Sequence, residues 1–116
     1  MSQLRTDLWV AAFVRRHNDI GHFCVVSRRG DPIAGQIFIE VDHLTGLSSL
    51  YTPAPSALRT EENEADRLFS LRFDRVEAGK VAERIRREAE FDPDLWVINL
   101  EMRDGDSGIP VARPQV

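Results

Sequence analysis

The sequence predicts an α+β domain: two helices and a mostly antiparallel sheet of about five strands, in the order α-β-β-β-β-α-β. Three observations carry this. Short β-branched and aromatic runs, separated by Gly, Asp and Pro, follow an N-terminal helical stretch. Apolar residues recur at helical spacing near the start of the chain and again from Val81 to Ala89. Residues 95–102 are apolar on both faces, as in a strand at the middle of a sheet. A chain of 116 residues has room for a single core, which the pattern places in residues 4–102.

Residues 4–20 read as the first helix, with Thr6 as N-cap and Asp7 at the positive end of the helix dipole. Trp9, Phe13, Arg16 and Ile20 share one face, and Gly21 stands where a left-handed C-terminal cap belongs. The rival reading is a strand over the apolar run 8–14, but Ala11, Ala12 and the Arg-rich end favour helix. Residues 23–28 and 36–41 read as strands, separated by the turn Arg29-Gly30-Asp31-Pro32. In the second, Ile37, Ile39 and Val41 point one way, and Gln36, Phe38 and Glu40 the other. A turn over 42–46 leads to a third strand, 47–52, and tight turns join the three into an antiparallel meander.

The stretch 53–67 holds Pro53, Pro55 and an acidic run and reads as a mobile loop. Residues 68–73 then alternate, with Phe69, Leu71 and Phe73 on one face. Asp74 and Glu77 have the spacing of a capping box for a second helix. Val81, Ile85 and Ala89 are its buried stripe, Gly79 weakens its first turn, and Pro93 stops it. The last strand, 95–102, precedes a Gly-, Asp- and Pro-containing stretch, 103–116, that reads as a disordered tail. Both helices are then available to cover one face of the sheet.

The charge balance limits the partners. The net charge of −4 opposes generic attraction to nucleic acid or anionic membrane. No apolar run approaches the roughly 20 residues of a membrane span, and residues 1–9 show no secretory pattern. A lone cysteine, Cys24, excludes an intramolecular disulfide and fits a reducing compartment, so a cytoplasmic location is expected.

Arg28-Arg29-Gly30-Asp31 is the best-marked polar feature. A Gly-containing turn exposes amides, and two guanidiniums beside it can hold a phosphate or carboxylate. Arg15 and Arg16, at the end of the first helix, extend this to a four-guanidinium patch. The simpler alternative is a turn in which Asp31 satisfies local amides, with the arginines solvated or stabilised by the helix dipole. His17, His22, His43, Asp42, Asp92 and Asp94 form no recognisable metal-ligand pair, and Asp92 and Asp94 suit a turn around Pro93. Cys24, among Phe23, Val25 and Val26, reads as a small buried apolar residue rather than a nucleophile.

Two stretches carry a resemblance: Arg28-Arg29-Gly30-Asp31-Pro32 followed by Ala34-Gly35, and Phe91-Asp92-Pro93-Asp94-Leu95-Trp96-Val97. With Trp9-Val10 leading an apolar segment that ends in Arg15-Arg16, they resemble a bacterial family of small proteins known as a domain of unknown function. The likeness spans about residues 4–101. It implies a free-standing cytoplasmic bacterial protein and brings no activity, cofactor or catalytic residue.

The resulting expectation is a small non-enzymatic interaction or regulatory module that binds a protein partner or its own copy. Its apolar surface is expected at Phe38, Leu50 and Trp96 (or Leu95), because several strands are apolar on both faces. No cofactor or metal is expected. The first alternative is a nucleic-acid or nucleotide-binding accessory protein using Arg15, Arg16, Arg28 and Arg29. The second is a small enzyme built on Asp92, Asp94 and a histidine.

Overall fold

The computed structural model describes residues 4–55 and 67–112. They form α1 (Thr6–Asp19), β1 (Phe23–Arg28), β2 (Ile37–Asp42), β3 (Leu47–Pro53), β4 (Phe69–Glu77), α2 (Ala78–Phe91) and β5 (Trp96–Glu101), the predicted α+β order. The strands make one sheet in the order β1-β5-β2-β3-β4, antiparallel except where β5 runs parallel to β2.

The expected meander is therefore only partly formed: β2, β3 and β4 are consecutive neighbours, but β5 lies between β1 and β2. The residues explain this. Trp96, Ile98 and Leu100 face one way and Val97 the other, all buried, so β5 requires a strand on each edge and a layer on each face. The same holds for β2, where Ile37, Ile39 and Val41 oppose Phe38. Val10 and Phe13 of α1 close the first face, and Val81, Ile85 and Ala89 of α2 close the second. The helices thus lie on opposite faces, which corrects the expectation that they share one.

The start of α1 departs from local capping rules. Thr6 is not the N-cap; it is the first helical residue and fully buried. Its amide donates to the Ile33 carbonyl (3.2 Å), the Asp7 amide donates to Pro32 (2.9 Å), and Thr6 Oγ1 donates to Gly35 (2.9 Å). The loop before β2 supplies the acceptors that a capping side chain normally provides. The buried stripe is Thr6, Val10, Phe13 and His17, one position off the expected face, so Arg16 and Ile20 are exposed. Gly21 adopts φ 94°, the left-handed geometry expected after the helix. Asn18, near the end of α1, covers the outer edge of β1. Its amide donates to the Cys24 carbonyl (2.8 Å) and accepts from the Cys24 amide (3.0 Å), as a neighbouring strand would.

β4 runs on to Glu77, past the predicted end at residue 73, because its pairing with β3 continues to Leu47. Asp74 is therefore a strand residue and the capping box does not form; the Ala78 amide donates to the Gly46 carbonyl instead (3.0 Å). The register shifts around Leu50, where Arg75 takes φ 50° and its amide donates to Ser49 Oγ (3.0 Å). The predicted stripe of α2 is the one that packs.

Residues 103–112 correct the expected disordered tail. Ile109 is buried in the α1-side core, the Phe69 amide donates to Pro110, and the Ala112 amide donates back to Phe69 (both 2.9 Å). Residues 113–116 lie outside the described residues, as do 56–66 of the expected mobile loop. At the neck of that loop the Ala54 amide donates to the Leu68 carbonyl (2.9 Å).

Candidate functional site

The two stretches that carry the resemblance dock against each other at the β1–β2 connection. Gly30 and Gly35 press on the backbone of Asp94, and a Cβ at either position would collide with the Asp94 carbonyl. The Asp31 amide donates to that carbonyl (3.0 Å), and the indole Nε1 of Trp96 donates to the Asp31 carbonyl (2.7 Å). The Asp31 carboxylate accepts the amides of Ile33 (3.1 Å) and Ala34 (2.8 Å). Asp31 therefore shapes the turn rather than lining an anion site.

The arginines separate. Arg28 Nη1 donates to the carbonyls of Leu95 (2.7 Å) and Pro93 (3.2 Å), which fixes it as a strut between the two stretches. Arg16 lies over Phe13, 5.6 Å from the ring centre. Arg29 stacks over Trp96 at 5.1 Å. Arg29 and Arg15 are brought together at a groove of about 510 Å³ between α1 and β1, lined by Val10, Ala11, Val14 and Val26. Asp7 also borders it and is paired with Arg5 (3.1 Å). Among the described residues Arg15 and Arg29 form no ion pair. The four-guanidinium patch is thus reduced to two.

The apolar surface expected at Phe38, Leu50 and Trp96 does not exist: their exposures are 3%, 0% and 1%. Phe38 and Leu50 lie beneath α2, Trp96 beneath Arg29, and Leu95 is equally buried. α2, expected to share a face with α1, is what covers Phe38, Leu50 and Leu95.

The Asp/His constellation is not assembled either. Asp92 accepts the Asp94 amide (3.0 Å) at the start of β5. His43 contacts Met102 beyond the other end of that strand, and His22 adjoins Phe23, which pairs with Glu101 at the same far end. His43 Nδ1 is 3.1 Å from the Met102 carbonyl, and His43 Nε2 is 2.9 Å from Ser49 Oγ. That distance suits a nucleophile and its base, but Ser49 is buried and its oxygen already accepts the Arg75 amide. The pair holds the β3–β4 irregularity in place. His17 and His22 approach through their Nδ1 atoms (3.0 Å), and burial pushes the pKa of His17 down. Burial pushes the Cys24 thiol up to about 11, which leaves it protonated and unreactive at neutral pH. Among the described residues no three His, Cys, Asp or Glu side chains are placed to hold a metal ion. Among them, too, no helix is long and apolar enough to cross a membrane.

A second groove, of about 390 Å³, went unseen in the sequence. It runs between α2 and β4 and is lined by Arg72, Phe73, Lys80, Arg84, Arg87 and Phe91, with Glu83 and Glu88. The spacing of Lys80, Arg84, Arg87 and Phe91 by four, three and four residues is the available signal, since it puts them on one helical face.

Fold and geometry define a small α+β domain with a helix on each face of a mixed sheet and a groove beside each helix. Over residues 4–110 the chain matches the family described as protein of unknown function (DUF1491), and it belongs to that family. It is similar to the solution structure of protein Atu0922 from A. tumefaciens, at 33% identity and a TM-score of 0.79, covering 98% of this chain and 99% of that one. It is also similar to the crystal structure of a DUF1491 family protein from Caulobacter crescentus, at 32% identity and a TM-score of 0.75, covering 93% and 97% of the two chains. An NMR structure of a DUF1491 family protein from the same organism gives 31%, 0.75, and coverage of 97% and 100%. Among curated proteins none matches this chain.

Proposed function

We propose that this protein is a non-enzymatic interaction module that receives an apolar segment of a partner protein, flanked by acidic residues, in the groove between α1 and β1. One observation supports this above the others: Arg15 and Arg29 stand at an apolar trough of about 510 Å³, within the size range of ligand sites. Aliphatic or aromatic side chains fill the trough, and flanking carboxylates meet the two guanidiniums, a pairing for which Arg is well suited. Arg29 is already oriented by Trp96, so little of its rotamer entropy remains to be lost on binding. The lone buried thiol of Cys24 suits a reducing, cytoplasmic setting for such a module. With Arg16 and Arg28 held elsewhere, the surface has fewer cations than a nucleic-acid reading of this groove needs.

The test is a titration of isotope-labelled protein with an acetylated nonapeptide of alternating leucine and glutamate. Backbone signals of Val10, Ala11, Val14 and Val26 and the Trp96 indole signal should shift together, and the double variant Arg15→Glu, Arg29→Glu should abolish the shifts. The same signals moving on dilution of the protein alone would assign the groove to a second copy of the chain. No shift at millimolar peptide would sink the reading.

A further inference from the structure

We propose that the groove between α2 and β4 binds single-stranded nucleic acid, with phosphates held by Arg72, Lys80 and Arg87 and a base stacked on Phe91. This site is separate from the one between α1 and β1 and rests on different observations. Phe91 ends α2 with 84% of its surface in solvent, an uncommon position for a large ring that has no core to join. Opposite the helix, Arg72 lies over the ring of Phe73 at 4.9 Å, so a second aromatic with an oriented guanidinium forms the other wall. The two acidic residues of the groove are neutralised locally: Glu88 pairs with Arg84 (2.7 Å) and Glu83 with Arg86 (2.6 Å). Among the described residues, Arg72, Lys80 and Arg87 are in no ion pair, so the groove is positive in a molecule of net charge −4.

The spacing decides the ligand class. Lys80 and Arg87 are seven residues apart, about 10 Å along the helix, and Phe91 is eleven from Lys80, about 16 Å. Cations spread along a line suit several single phosphates in succession; a phosphorylated side chain, with its charge at one point, calls for a cluster. An exposed ring beside such a line is the arrangement that single-strand binders use, since every base offers a face to stack.

Fluorescence anisotropy with fluorescein-labelled dodecauridylate tests this on the full chain. Three phosphate contacts give a salt slope near −2, so affinity should fall about twentyfold between 50 and 200 mM salt. The double variant Lys80→Gln, Arg87→Gln should weaken binding and flatten the slope to about −0.7. Phe91→Ala should weaken binding at least about fivefold with the slope unchanged, which separates stacking from charge. All three positions are exposed, and thermal melts of the variants verify that folding is intact. Absence of binding at 50 mM salt overturns the proposal. So does equal affinity for inorganic polyphosphate that is indifferent to Phe91→Ala, since a generic anion site needs no ring. Binding lost only in Arg15→Glu, Arg29→Glu overturns it too, because the strand would then lie on the opposite face.

Discussion

The two helices cover the same sheet from opposite faces, yet they are held by different physics. α1 is tied by long-range contacts: loop carbonyls of Pro32 and Ile33 satisfy its first amides, and its stripe enters the larger core around Trp96, Ile98 and Leu100. α2 takes one distant partner, the Gly46 carbonyl for its Ala78 amide, and supports the rest of its length locally. Glu83, Arg84, Arg86, Glu88 and Glu90 form pairs three and four residues apart, and Val81 is its one fully buried side chain among those described. A helix of the first kind takes its ends from the tertiary structure; one of the second kind announces itself in its own residues.

Truncation in the two cores should expose this contrast most strongly. Phe13→Ala removes a ring buried beneath α1 and should cost about 3–5 kcal/mol, whereas Ile85→Ala, at a half-buried position, should cost about 2 kcal/mol. Urea midpoints measure both, and equal losses would mean that α2 is as deeply docked as α1. The glycines sharpen the comparison by sign. Gly30→Ala drives a methyl into the Asp94 backbone and should destabilise by about 3 kcal/mol, while Gly79→Ala meets open space in a helix and should stabilise by about 1 kcal/mol. A neutral Gly30→Ala would show that the loop gives way and is no fixed anchor for α1.

The smallest effect belongs to pH. The folded pKa of His17 is lowered first by burial and then by the charges of His22 and Arg16. The unfolded chain therefore binds the proton more readily, so stability should decline as pH falls below about 6.5. Comparing midpoints at pH 7.5 and 5.5, the decline should shrink in His17→Gln. An unchanged decline would place its source elsewhere.

What the sequence disclosed follows the same division. The stripe Val81, Ile85, Ala89, the stop at Pro93 and the central place of the two-faced strand were all legible, because period and punctuation are local. The role of Thr6 was not: its hydroxyl bonds Gly35, twenty-nine residues away, and no neighbouring residue signals that. The capping box at Asp74 and Glu77 failed because strand pairing with Leu47 and Ser48 outcompeted a local side-chain bond. Of the candidate site, the sequence offers Arg15, Arg16, Arg28 and Arg29 as one patch, whereas only Arg15 and Arg29 border a common groove, and Phe38, Leu50 and Trp96 lie beneath other layers instead of on a surface. Two apolar faces say that a strand is covered, and whether by its own chain or another is settled only by where the helices pack.

The placement of β5 between β1 and β2 has a consequence for the newborn chain. Synthesis proceeds from the N-terminus, so both strands that flank this slot emerge before the strand that fills it. From the end of β2 at Asp42 to the end of β5 at Glu101 the ribosome adds 59 residues, which at 5–20 residues per second takes roughly 3–12 s. During that interval β1 has the Asn18 amide on one side and nothing on the other, and the inward edge of β2 is open. The sheet cannot close from its beginning. Its centre arrives late, and folding waits on translation until residues 96–101 are free to slide home.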